Sequence, residues 1–155
     1  MDGLQKDALE NSPELIWGVA SRIMPHILNH TPNCRENYSF ATKFFHWSTR
    51  HHFPIVDSRA RGAINAMQCE HEVRPCIWKS AVGIPKGKYI EEYKRWIQFY
   101  SDLIRSISAE DRKRLIEADV SSQLSKSPTK NTLLRILDKV FYYKGGGRGQ
   151  GRIDA

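Results

Sequence analysis

Long apolar runs are missing from this chain. None of its 155 residues falls in an uninterrupted hydrophobic stretch of more than a few residues, far short of the ~20 that a membrane span needs. Cysteine is scarce, and Cys34, Cys69 and Cys76 make an odd number. That suits a reducing cytoplasm better than a disulfide scaffold. Residues 1–7 have neither a basic start nor an apolar core, so no secretory leader is expected. There is no internal repeat and no excess of charge. Charged residues make up 26%, close to the globular average of about 25%, which excludes a disordered polyelectrolyte. With 40% apolar and 10% aromatic residues, a chain of this length can bury one core, and a single cytoplasmic domain is expected.

The charge that is present is unevenly placed. The net charge is +7, yet residues 1–14 are acidic, with Asp2, Asp7, Glu10 and Glu14 against Lys6. Between Arg22 and Arg61 stand six cations opposed only by Glu36 and Asp57, together with His26, His30, His46, His51 and His52. Residues 126–152 hold seven more cations against Asp138. Two basic zones on one domain point to a polyanion, with DNA or another nucleic acid leading, or else to a well-solvated surface.

The apolar spacing is helical almost throughout, and an all-α domain over residues 1–144 is expected. Ser12-Pro13-Glu14 reads as a helix start. The helix that follows carries Leu15, Val19, Ile23 and Ile27 beside Ile16, Ala20, Met24 and Leu28 on one broad buried face. Pro25 should kink or end it near Met24, and residues 30–37 read as a turn. A second helix is predicted from Ser39, with Phe40, Phe44 and Trp47 on one face and Ala41 and Phe45 beside them. Phe53 precedes a proline and must be extended. Asp57 or Ser58 then caps a third helix with Ala60, Ile64 and Met67. After a loop over 69–87 come a long amphipathic helix (Tyr89, Tyr93, Trp96, Ile97, Tyr100, Leu103, Ile104, Ile107) and another capped by Ser108 with Asp111. The last helix is predicted over 129–143, with Leu133, Leu134, Leu137, Val140 and Phe141 buried. Residues 145–155 form a glycine- and arginine-rich tail, expected to be flexible.

Chemistry concentrates between Ser39 and Arg61. An acid at a helix N-terminus, as Asp57 is predicted to be, accepts free backbone N–H groups and sits at the favourable end of the helix dipole. It is either a plain N-cap or a carboxylate fixed to face developing positive charge. Cys69 and His71 with Cys76 invite a zinc reading, but one intervening residue is narrower than the spacing of common zinc turns, and no metal is expected.

The run from Phe40 to Met67, under a third of the chain, resembles the core of the helix-hairpin-helix DNA glycosylases. Ala41-Thr42-Lys43 matches the family's Gly-x-Lys, and Pro54-Ile55-Val56-Asp57 matches its apolar run into an essential aspartate. Arg59 or Arg61, with Ile64 and Ala66, falls on the helix that follows. Ser39, Phe40 and Ala41 stand where the hairpin glycines would be, and three cysteines do not supply the four ligands of the iron–sulfur cluster of some members, so no cofactor is expected. The resemblance implies base-excision chemistry. Asp57 would stabilise the sugar cation and Lys43 would assist, as nucleophile or as phosphate contact. Arg59, Arg61, Trp47, His46 and Phe44 would bind substrate, and Phe44, Trp47 and Trp96 would line a pocket for an extruded base. It further implies that Lys43 Nζ lies within ~5 Å of the Asp57 carboxylate. A non-catalytic nucleic-acid-binding or regulatory module of the same fold, and a helical protein-interaction domain, are the other readings.

Overall fold

The computed structural model describes residues 8–29, 34–71, 88–123 and 131–145. Among them are seven helices and no strand: α1 (Ala8–Asn11), α2 (Pro13–Asn29), α3 (Cys34–Ser48), α4 (Ser58–His71), α5 (Tyr89–Ser106), α6 (Ala109–Ser121) and α7 (Leu133–Lys144). No helix among the described residues is long and apolar enough to cross a membrane.

The core is built around α5, whose aromatic stripe was legible as amphipathic spacing. Tyr93, Trp96, Tyr100 and Ile104 are fully buried, flanked by Tyr89 and Ile97. Burying each such side chain stabilises the fold by roughly 1.5–3 kcal/mol. Helices α1 and α2 pack on α5, α3 packs on α2, and α7 bridges α4, α5 and α6. The expected cap at Ser108 is in place, and α7 has one at Thr132 that was not expected. Ser108 Oγ accepts the Asp111 amide at 3.1 Å and donates to its carboxylate at 2.7 Å, while Thr132 accepts the Arg135 amide at the start of α7. The acidic N-terminal segment also finds a partner, because Arg112 of α6 grips the Glu10 carboxylate through both terminal nitrogens at 2.8 and 2.9 Å.

Several sequence expectations are corrected. Pro25 neither ends nor confines α2, which runs on to Asn29. Met24 and Leu28 are buried on either side of it, and this packing offsets the ~3 kcal/mol that an interior proline costs. The buried face of α2 is the single row Ile16, Ala20, Met24 and Leu28, while Leu15, Val19 and Ile23 are exposed. Helix α3 starts at Cys34, inside the predicted turn, and its buried row is Tyr38, Ala41, Thr42, Phe45 and His46. Phe40, Phe44 and Trp47 point outward instead. On α7, Val140 is exposed and Ile136 is buried. Residues 69–71, predicted to open a loop over 69–87, belong to α4, which continues to His71; residues 72–87, with Cys76, lie outside the described residues, as do 146–155 of the predicted tail. Gly145 caps α7 by donating to Phe141 O at 2.8 Å and rests against the backbone of Arg59, where a Cβ would come within 2.1 Å of the carbonyl oxygen.

Candidate functional site

The site is assembled by a nine-residue connection between α3 and α4. The chain reverses at Arg50 and His51, both at positive φ (54° and 68°), a conformation that costs non-glycine residues about 1 kcal/mol or more. The reversal is secured by the His51 amide donating to His46 O at 2.7 Å and by the Thr132 hydroxyl reaching His51 O at 3.4 Å. Residues 53–56 are buried and belong to neither helix nor strand, with a bend at Phe53. Irregular backbone in a core must find partners from side chains, and it does so on two helices. His46 Nδ1 lies 2.7 Å from Phe53 O, Tyr93 OH donates to Pro54 O at 2.9 Å, and the Val56 amide donates to Thr42 Oγ1 at 3.1 Å. The Thr42 hydroxyl in turn donates to Ser39 O at 3.1 Å.

This track delivers Asp57 to the start of α4. Its Oδ1 accepts the amides of Arg59 and Ala60, both at 3.0 Å, which settles the choice between Asp57 and Ser58 as the cap. Oδ2 is left facing Lys43, whose Nζ is 3.3 Å away. The lysine is 47% exposed and the aspartate 18%, so the pair lies at the surface with the acid set beneath the cation. The expected proximity of the two groups is therefore present.

The other sequence-predicted residues divide. Phe44 and Trp47, 50% and 56% exposed, are on the same helix as Lys43 and open to solvent, and Phe40 continues their row, its ring 6.3 Å from that of Phe44. Arg61 is turned inward, bonded to Glu92 at 2.6 Å with 11% of each side chain exposed. Arg59 lies over the Tyr142 ring at 4.1 Å, with a buried Nη1 that has no hydrogen-bond partner. His46 is fully buried and supports the connection rather than facing solvent. Trp96, expected in a pocket wall, is fully buried in the core.

Sequence reasoning missed three groups. Arg135 of α7 lies 4.6 Å over the Trp47 ring and is ion-paired with Asp138 one turn later. Burial pushes the Asp138 carboxyl above its ordinary value; Arg135 opposes this, Asp57 adds to it and Lys43 opposes it. Tyr100 of α5 has a buried hydroxyl without a hydrogen-bond partner, and its proton is held well above the ordinary range by burial first and then by Asp138 and Asp57. The only advance signal was Asp138 standing alone among the cations of the last basic zone. Lys139, next to it, turns to Asp119 of α6 at 2.6 Å.

Among the described residues no group of three or more histidine, cysteine, aspartate or glutamate side chains is placed to hold a metal ion; the side chains of Cys69 and His71, and all of Cys76, lie outside that description. The arrangement is thus one anchored carboxylate, a cation on it, a rim of exposed rings, and a second acid held by Arg135. No family model, curated protein or solved structure matches the chain.

Proposed function

We propose that the chain binds nucleic acid and cleaves the N-glycosidic bond of an unpaired or modified base, as the resemblance to helix-hairpin-helix glycosylases implies. The observation that carries this reading is the Lys43–Asp57 pair, at 3.3 Å, with the carboxylate fixed by two backbone amides. Loss of a base develops positive charge on the sugar, and a preoriented carboxylate stabilises it without reorganising. Phe44 and Trp47 offer exposed faces for an unstacked base. Lys43 keeps contact with solvent, the setting of a phosphate-contacting ammonium; as a nucleophile it must first give up a proton, and Asp57 Oδ2 is the nearest acceptor. Arg59 and Arg61, engaged with Tyr142 and Glu92, serve the scaffold in this reading rather than the phosphates.

The test is base release from single-stranded and duplex oligonucleotides carrying deaminated, oxidised or alkylated bases. Release from at least one substrate is expected, falling by about 10²-fold or more in Asp57→Asn while binding is kept. Borohydride trapping of a covalent adduct, lost in Lys43→Gln, identifies a lyase step through that amine. Salt-sensitive binding with no release from any substrate replaces this reading with the non-catalytic module. Absence of salt-sensitive binding removes the nucleic-acid partner altogether.

A further inference from the structure

Residues 37–48 of α3 include no acid, and their one exposed cation is Lys43. Phe40, Phe44 and Trp47 stand beside it, Phe40 the most exposed at 61%. Steps of four and three residues set the three rings in one stripe of about 10 Å along the helix axis. The Phe40 and Phe44 rings are close to parallel, at 27° and 6.3 Å between centroids. Trp47 is backed by protein. The Arg135 guanidinium lies over its ring at 4.6 Å, and the His51 ring stands at 81° to it, 5.1 Å away. A guanidinium on one face leaves the other face and the outer edge to carry the exposure. Single exposed rings are ordinary, but an apolar row rimmed by charge marks an interaction surface.

The charge beside the stripe identifies what covers it. Lys43 lies within the row, and Arg50, three residues beyond Trp47, is exposed and ion-paired to none of the described residues. The acids are engaged and withdrawn: Asp57 is 18% exposed and tied to two amides, and Asp138 is 13% exposed and paired with Arg135. Rings with cations at their side and no free acid fit a polyanion whose units have flat faces. A duplex keeps those faces stacked inside and shows edges and phosphates, whereas an unpaired strand offers a π-face at every base. At ~3.4 Å for each stacked nucleotide, the stripe spans about three bases. We propose that the outer face of α3 is a stacking platform for single-stranded nucleic acid. Phe40, Phe44 and Trp47 take the base faces, and Lys43 and Arg50 take the phosphates. The proposal rests on the nucleic-acid partner of the reading above, not on its cleavage step.

The probe is a fluorescein-labelled oligodeoxycytidylate of about 12 nucleotides, titrated with the full chain and followed by anisotropy and by quenching of tryptophan emission. It should bind at least ~10-fold tighter than a duplex of the same length. Phe40→Ala, Phe44→Ala and Trp47→Ala should each weaken it ~5–150-fold, the worth of one base–ring stack. Thermal unfolding should be unchanged in the two phenylalanine variants. Trp47→Phe should keep most of the affinity and lose most of the quenching. Lys43→Gln and Arg50→Gln should each lower the slope of log Kd against log salt by ~0.7. Oligocytidylate should bind as the deoxy strand does, because neither kind of contact reads the 2′-hydroxyl. Single-strand affinity that survives all three alanine variants, or that does not exceed the duplex affinity, overturns the proposal and leaves a partner held by phosphate contacts alone. A preference for one sugar larger than a single stack overturns it too. Ring-dependent binding without base release from any lesion upholds the platform and removes the cleavage step. Binding to no nucleic acid overturns the partner and the platform together, and ring-dependent binding to phosphatidylserine vesicles in that case assigns the face to a lipid surface.

Discussion

Lowering the pH from 7 to 5 is a perturbation aimed at one buried ring. His46 is fully buried, and its Nδ1 lies 2.7 Å from Phe53 O. A carbonyl only accepts, so Nδ1 carries the hydrogen and Nε2 is left bare and without a partner. Charging the ring would place a proton on Nε2 out of reach of water. Burial is the largest influence lowering its pKa from 6.5 to about 4; the Phe53 carbonyl opposes the shift, and His51 and Arg135 add to it. The unfolded chain therefore takes up this proton at pH values where the folded chain does not. Stability is complete above the unfolded value and is lost as pH falls from 6.5 towards 4. The whole window is worth about 3 kcal/mol, and the step from pH 7 to pH 5 about 2 kcal/mol. His51, also lowered, first by burial and then by Arg135, adds to the loss with the same sign. Glu92 and Asp138, both raised chiefly by burial, act with the opposite sign wherever they protonate, so the effect of His46 is read as the difference between the parent and a variant that lacks only this ring.

Urea unfolding at pH 7, 6 and 5 measures the effect directly. His46→Asn places an amide N–H near the position of Nδ1 and removes the titration. The variant should be less stable at pH 7, through lost packing, but should lose about 2 kcal/mol less than the parent between pH 7 and 5. Equal pH dependence in the two proteins would refute the assignment of that proton to His46.

Gly145→Ala should destabilise by about 1–3 kcal/mol in denaturant melts, because its Cβ would meet the Arg59 carbonyl oxygen at 2.1 Å, and one backbone must move. Arg61→Met should cost about 3–5 kcal/mol by leaving Glu92 buried without its partner. Adding Glu92→Leu should recover most of that loss, and a double variant no better than the single would show that the ion pair is not the cause. Asp57→Ala should cost about 0.5–2 kcal/mol and Asp57→Asn only a small fraction of that, since an Asn oxygen still accepts the Arg59 and Ala60 amides. Equal losses in thermal melts would mean that the Lys43 contact, not the cap, supplies the stability.

The parts of the fold that could be read in advance are those where burial and hydrophobicity coincide. Helix α5 is the clearest case, because Tyr93, Trp96, Ile97, Tyr100 and Ile104 are apolar or aromatic and buried at helical spacing. The cap at Ser108 is local chemistry of the same kind, whereas the cap at Thr132 is not anticipated, since the apolar spacing starts the last helix at residue 129. Helix α3 misled for the opposite reason. Its inner row mixes Ala41 and Phe45, which group with the apolar residues in the sequence, with the polar Thr42 and His46, and its outer row contains Phe40, Phe44 and Trp47, so hydrophobicity alone did not separate the two faces. The Lys43–Asp57 pairing is expected only from the resemblance to the helix-hairpin-helix glycosylases; the short-range rules by themselves place an acid at the start of α4. Asp138, Arg135 and Tyr100 join from helices distant in sequence, and no spacing rule links them to Asp57.

That mixing on α3 has a physical cause in the connection it carries. Residues 53–56 are buried outside any helix or strand, so their carbonyls and amides need donors and acceptors that no regular structure provides. Thr42 and His46 supply them from α3 and Tyr93 from α5; a row on α3 made only of leucine and phenylalanine would leave two backbone groups, Phe53 O and the Val56 amide, unpaired, each at a cost of about 1–3 kcal/mol. The polar inner row is therefore what allows the chain to cross the core as a non-helical segment and emerge at Asp57. With that row given over to backbone bonding, the aromatic residues of α3 occupy its outer face, beside Lys43. The features that made the helix hard to read from its sequence are thus the ones that place an acid, a cation and exposed rings together. Thr42→Val tests the link: it removes the acceptor of the Val56 amide while preserving volume. It should cost about 1–3 kcal/mol and loosen Asp57, read as faster hydrogen exchange at the Val56, Arg59 and Ala60 amides than at Tyr100. Uniform acceleration across all four would show that Thr42 supports the core in general and not the track to the site.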